Sequence, residues 1–297
     1  MTLRGGLVSY CHVYDTEPER QARDEQLKHI QLDQRPVIDT SAPHTARVWN
    51  YWLGGKDNYP VDREAGDQIC AMMPDIIDGA RTARAFLIRA VRYLAGEAGI
   101  RQFLDIGTGL PTANNTHEIA QATAPECRIV YVDNDPLVLV HARALLTSSP
   151  QGATAYIDGD LHDPETILRE AARTLDFTQP IALMLLGIIN HIMDTGQAHA
   201  IVNQLRDALP AGSYMTMTHP TAEVNGERVL EEIRQWNEGG GIPPVTAGSR
   251  REMTRFFDRL ELLEPGVVSA SLWRPDPSEI GTVPRSRYKF CGMGRKL

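Results

Sequence analysis

From residue 101 to residue 218 short apolar runs alternate with helical segments, and this alternation restricts the fold more than any other feature of the chain. Residues 101–106 read as a buried strand that ends in Gly107-Thr108-Gly109, and residues 115–123 as a helix. Residues 128–132 form a second strand, followed by a helix through 137–146 with Pro136 in its first turn and Asp135 as its N-cap. A third strand (153–157) and helix (164–174) follow, then a strand at 181–186 that is apolar on both faces, as a central parallel strand should be. A helix at 196–209 and a fifth strand at 213–218 complete the series. Strands separated by helices of about ten residues imply βαβ units and a mostly parallel sheet with helices on both faces. Such sheets bind ligands at the carboxyl ends of their strands, where the strand order reverses.

The flanking segments differ. Residues 1–35 read as a polar arm, 36–95 as a helix-rich segment that must cover the sheet or its ligand edge, and 96–297 as the core domain. In the tail, 227–236 and 251–260 read as helices, and 261–264 and 287–293 as strands. The composition, 42% hydrophobic and 23% charged, is that of a globular protein. The net charge of −8 argues against nucleic acid held by bulk electrostatics. The longest apolar run, 181–189, is too short for a membrane span, and the N-terminus lacks the apolar core of a secretory signal, so the expected location is cytoplasmic. The four cysteines form no CxxC pair and no His cluster lies at ligand spacing, so no metal site is expected. A homodimer is compatible with this composition.

Four strand ends carry candidate chemistry. Asp105 precedes a glycine turn that lets a ligand approach the backbone at Gly107, Thr108 and Gly109. A dinucleotide fingerprint would place a third glycine where Thr112 stands, and a carboxylate suits a pyrophosphate poorly. Asp105 suits a cofactor with an ammonium group and no phosphate, which describes S-adenosylmethionine. Asp133, with Asn134 beside it, lies about where an acid meets a ribose diol, since Asp135 is better placed to cap the next helix. Asp160 and Leu161 are candidates for the adenine amino group and ring, against an ordinary loop. Gly187 permits close approach of the methionine end. His191 is either a general base facing the methyl acceptor or a satisfied core histidine, and His219 poses the same alternatives. Upstream, the turn from Tyr51 through Lys56 to Asn58 reads either as a helix C-cap at Gly54-Gly55 or as a wall or lid over the ligand. Arg81, Arg84 and Arg89 read as a solvated or ion-paired helix face.

Together these segments resemble an actinobacterial S-adenosylmethionine-dependent methyltransferase family formerly classed as a domain of unknown function. The resemblance runs from about residue 36 to the C-terminus. It rests on ARVWNYWLGGKDN (46–58), FLDIGTGLPT (103–112) with NTHE (115–118), VYVDNDP (130–136), DGDLHD (158–163), LELLEPG (260–266) and WRPD (273–276). It implies a Rossmann-like class I fold with a mixed seven-stranded sheet. It also implies S-adenosylmethionine in the site, S-adenosylhomocysteine as product and a small-molecule methyl acceptor that the family does not define. The rival readings are a cofactor-sensing protein without catalysis and a nicotinamide-dependent oxidoreductase.

Overall fold

The structure, a computed structural model, describes residues 38–297 apart from 112–113, 146–147, 225 and 277–287, so the expected polar arm lies outside the described residues. Residues 39–297 form a single unit. Strands β1 (Gln102–Ile106), β2 (Arg128–Asp133), β3 (Ala153–Asp158), β4 (Ala182–Leu186) and β5 (Tyr214–Pro220) are mutually parallel in the order β3-β2-β1-β4-β5. The chain moves outward from β1 in both directions, so the order reverses between β1 and β4. β8 (Lys289–Arg295) runs antiparallel beside β5.

The sheet has eight strands rather than seven. β6 (Glu261–Leu262) pairs with Arg295 and Gly294, and β7 (Val268–Ser269) with Cys291 and Phe290. β5 occupies the other side of β8 along its whole length, so β6 and β7 share one edge position. The expected seventh strand is thus a single edge broken in two by a turn around Gly266, whose φ is +78°. Two-residue pieces expose no long row of unpaired backbone groups, which blunts that edge against pairing with another chain.

Alternation along the strands builds two cores. Leu104, Val130, Leu183 and Met215 face one side, beneath α6 (Pro164–Ala171), α7 (Thr195–Asp207) and α9 (Arg250–Arg255). Phe103, Ile129, Ala182 and Tyr214 face the other, against α3 (Ile76–Arg92), α4 (Thr116–Thr123) and the buried Trp273. A third cluster joins α1 (Thr45–Trp52), α2 (Pro60–Met72) and the start of α3 to α8 (Gly226–Glu238) through Val48, Trp52, Ile69, Val229 and Trp236. The N-terminal helices therefore do two jobs. α3 covers a sheet face, and α1 and α2 form a cap.

Local chemistry explains several of the motifs. Asp135 accepts the Leu137 N–H at 2.8 Å and caps α5 (Pro136–Leu145) as expected. Asn115 and Glu118 of the NTHE run form the capping box of α4. Arg89 departs from the expected solvated face: it donates to the carbonyls of Trp273 (3.0 Å) and Ala270 (2.7 Å), tying α3 to the WRPD segment. Arg81 does form an exposed ion pair, with Asp78. Among the described residues, no helix is long and apolar enough to cross a membrane, and no group of His, Cys, Asp or Glu could hold a metal ion.

Candidate functional site

An open cleft lies at the reversal of strand order. Its floor comes from strand ends: Gly107, Thr108 and Gly109 after β1, Asp133 and Asn134 after β2, Gly187 after β4, and Thr218 of β5. Its walls are two helical stripes, Ala46, Trp49 and Asn50 on α1 with its C-cap Leu53, and Ala80, Ala83, Arg84 and Leu87 on α3. Each follows the i, i+3, i+4, i+7 spacing of one helix face and carries a single polar residue.

Asp105 is buried and accepts the Thr116 hydroxyl at 2.6 Å. Burial pushes its carboxyl up to about 6, against the opposing pull of that hydroxyl and of the Arg84 guanidinium. Asp133 accepts the Gly109 N–H on Oδ2 (2.8 Å) and the Asp135 N–H on Oδ1 (3.0 Å). Burial raises it to about 6 as well. Two carboxylates made costly by burial on one cleft favour a ligand that brings positive charge and hydroxyl donors. That acceptor set fits an amino-acid ammonium and a ribose, and offers little to a pyrophosphate.

The turn itself is held by the Gly107 N–H on the Val132 carbonyl at 2.8 Å. Gly107 has φ +75°, and a Cβ there would lie 2.6–2.7 Å from Ile188. Gly107→Ala is therefore expected to destabilise the fold by about 1–3 kcal/mol and to weaken cofactor binding. Chemical denaturation checks the first and calorimetry the second; a neutral result in both would remove the turn from the argument.

Other expected residues lie elsewhere. Asp160 is exposed and turned to His162, accepting its N–H at 2.9 Å with the imidazole Nδ1 at 2.8 Å. Leu161 is buried in the first core. Neither is a wall of the cleft, because the loop after β3 folds back on itself. Tyr51, Lys56 and Asn58 are not walls either. Tyr51 donates to Asp67 (2.8 Å), Lys56 is exposed, and the Asn58 amide donates to Asn50 Oδ1 (3.0 Å). The GGKDN turn is a C-cap wrapped around Asn50: Gly54 has φ +81°, and a Cβ on Gly55 would fall 2.3 Å from the Asn50 amide. The cleft is faced by Asn50 and Leu53 instead.

His191 lies on the cleft wall, its Nδ1 2.8 Å from the Pro244 carbonyl. That contact requires Nδ1–H and leaves Nε2 as an acceptor. Burial pushes the ring down to about 4, so it is neutral and only weakly basic. His219 is not a wall; its Nδ1 contacts the Pro220 carbonyl at 2.8 Å.

Sequence reasoning missed three contributors. Arg84, read as part of a solvated or ion-paired helix face, lines the cleft and donates to Asn115 Oδ1 at 3.2 Å. Asn50 and Lys289 also line it. A lone polar residue within an apolar helical stripe was the available signal for Arg84 and Asn50. Lys289 had none, because its place depends on β8 returning beside β5. A second cavity, mostly apolar, adjoins the cleft at Gly187, His191 and Lys289.

A family model described as S-adenosyl methyltransferase matches residues 31–297. A crystal structure of a DUF574 family protein from Streptomyces avermitilis is 43% identical, covering 88% of this chain and 100% of that chain with a TM-score of 0.84. A candidate methyltransferase from Thermobifida fusca is 41% identical, covering 89% of this chain and 99% of that chain with a TM-score of 0.79. Comparison with curated proteins finds no match. The chain belongs to the S-adenosyl methyltransferase family, with its Rossmann-like class I fold and S-adenosylmethionine as cofactor.

Proposed function

We propose that this methyltransferase acts on a small-molecule acceptor and holds the cofactor between the strand ends and the two helical stripes. In this reading ionised Asp105 takes the ammonium and Arg84 the carboxylate of the methionine end. Asp133, with Asn134 beside it, takes the ribose hydroxyls, and the backbone from Gly107 to Gly109 and at Gly187 gives close approach. When bound, S-adenosylmethionine supplies a methyl group on a sulfonium whose departure leaves a neutral thioether, so the protein's task is to orient and to exclude water. His191, neutral and anchored on Pro244, offers Nε2 to position a donor on the acceptor. The net charge of −8 favours a small acceptor over nucleic acid. A reducing cytoplasm suits the described cysteines, all free.

The observation that carries this reading is the pair of buried carboxylates on one cleft, and it fixes a pH dependence. Folded-state values near 6, above the ordinary carboxyl value of 3.8, mean that both groups favour the folded protein when protonated. That stability is fully present below about 3.8 and is lost as pH rises through about 6. A cationic ligand needs the ionised form, so binding returns what ionisation removed. Because Asp105 alone meets the ammonium, S-adenosylhomocysteine is expected to bind about tenfold more weakly for each pH unit below 6, and without pH dependence above 7. Calorimetry between pH 5 and 8 measures this; a flat profile, or tight NADH binding without S-adenosylhomocysteine binding, overturns the proposal.

A further inference from the structure

The second cavity has a character unlike the cleft. Its walls are aromatic and aliphatic, with Trp49, Trp52, Trp236 and Tyr288 surrounding two charged side chains, Lys289 and Glu232. It opens on the cleft where Thr45, Trp49, Gly187, His191 and Lys289 line both. Lys289 Nζ stands at that junction, 3.9 Å from the centre of the Trp49 ring. A Cβ on Gly187 would come within 3.0 Å of it, so the missing side chain at the end of β4 is what admits the ammonium. Among the described residues neither Lys289 nor Glu232 has a hydrogen bond or ion pair; each feels the other only at longer range. Beside them, Asn190 Oδ1 is buried without a hydrogen-bond partner. Two opposite charges in a mostly apolar cavity, the cation met by the Trp49 face and the anion by no hydrogen bond, favour a polar ligand that bridges them.

We propose that this cavity binds the methyl acceptor, that the acceptor is a flat aromatic compound bearing an ionisable hydroxyl, and that Lys289 holds the reacting oxygen as its anion. The inference rests on the cofactor reading above. Trp49 and its neighbours supply faces for stacking an aromatic ring. The lysine ammonium lies beside Gly187, where the methionine end of the cofactor is proposed to approach. The acceptor hydroxyl gives its proton to the Glu232 carboxylate across the cavity. The resulting oxygen then forms a bond to the methyl carbon while the carbon–sulfur bond breaks and its electron pair stays on sulfur. One sulfonium charge is consumed and one proton released, so the step balances. Burial holds Glu232 up at about 7 and Lys289 down at about 8, values suited to a carboxylate that accepts a proton beside an ammonium that remains mostly charged. Other titratable groups near Lys289 are His191 after β4 and His219 on β5, both pushed below the usual imidazole range by burial, and Tyr288 on the cavity wall.

The test uses 4-nitrophenol, whose ionisation is visible in its absorbance, titrated with the full chain, with and without S-adenosylhomocysteine, at pH 6, where Glu232 is already mostly protonated, the phenol proton passes to solvent and the band reads Lys289 alone. Bound 4-nitrophenol is expected to be ionised about tenfold more than free 4-nitrophenol, the effect of an opposite charge within a few ångströms. Lys289→Met should abolish that band, and Lys289→Arg should keep it. Absence of binding, binding as the neutral phenol, or a band unaffected by Lys289→Met overturns the inference. The wild-type spectrum decides the first two even if the methionine variant does not fold. Calorimetry on the same sample separates the two proposals: S-adenosylhomocysteine binding without a phenolate band sinks only the acceptor assignment, whereas a phenolate band without S-adenosylhomocysteine binding sinks the cofactor reading.

Discussion

Asp105→Asn is expected to weaken S-adenosylhomocysteine binding by about a hundredfold, roughly 2.7 kcal/mol, while the free protein becomes no less stable. The two effects have opposite signs because the carboxylate is poorly placed for folding and well placed for a cation. The displacement of its pKa from 3.8 to about 6 corresponds to an upper limit of about 3 kcal/mol, at roughly 1.36 kcal/mol per unit, by which ionisation opposes folding at pH 7. An amide keeps an acceptor for the Thr116 hydroxyl and removes the buried charge. It cannot form an ion pair with an ammonium, a loss on the order of 2–5 kcal/mol in buried pairs. Calorimetry and thermal unfolding read the two quantities side by side. An unchanged affinity would remove Asp105 from the binding site, and a large fall in Tm would make it a structural residue.

Arg47→Met is expected to cost about 3–5 kcal/mol of stability and to abolish the cleft wall with it. Asp62 is fully buried, and Arg47 Nε lies 3.2 Å from its Oδ1. The guanidinium also donates to the carbonyls of Asp39 (2.7 Å) and Ala42 (2.8 Å). Asp62 in turn accepts the backbone N–H of His44 (2.9 Å) and of Tyr59 (2.8 Å). One ion pair therefore fixes the chain entering α1 and the start of α2, which set the pitch of the Ala46–Leu53 stripe. Removing only the cation leaves a buried carboxylate whose two remaining backbone donors cannot neutralise it. Urea unfolding should show a lower midpoint with an unchanged slope. The double variant Arg47→Met, Asp62→Asn should recover part of the loss; a double variant as unstable as the sum of the single ones would show that the pair is not coupled.

The residues legible in the sequence are those whose role is set within a few positions. Asp105 and Asp133 each end a strand beside a turn whose geometry the neighbouring residues dictate, so the structure carries both to the cleft. Asp160 also ends a βα loop, but its neighbour His162 captures it, and nothing in DGDLHD distinguishes a ligand-facing acid from a locally satisfied one. The GGKDN run reads equally as a C-cap or a ligand turn, and the structure makes it a C-cap whose glycines answer to Asn50, one residue of the preceding helix. Arg84 and Lys289 depend on what packs opposite them. For Arg84 that is the end of β1, and for Lys289 it is α1 and α8, contacts that no short-range pattern encodes. The broken edge of β6 and β7 belongs to the same class, since only the register on β8 reveals two fragments as one strand.

The hydrogen bonds on Asp133 bear on how quickly a ligand can be exchanged. Its oxygens accept backbone N–H groups from Gly109 (Oδ2) and from Asp135 (Oδ1). A carboxylate oxygen has a second lone pair, so a diol can be held without surrendering either bond. The glycine turn is thus pre-organised in the free protein, and association does not wait for the loop to order. Little conformational entropy is lost there on binding. Differences in affinity among cofactor analogues should then reside chiefly in their dissociation rates, so that product release, rather than remodelling of the turn, governs how long the site stays occupied.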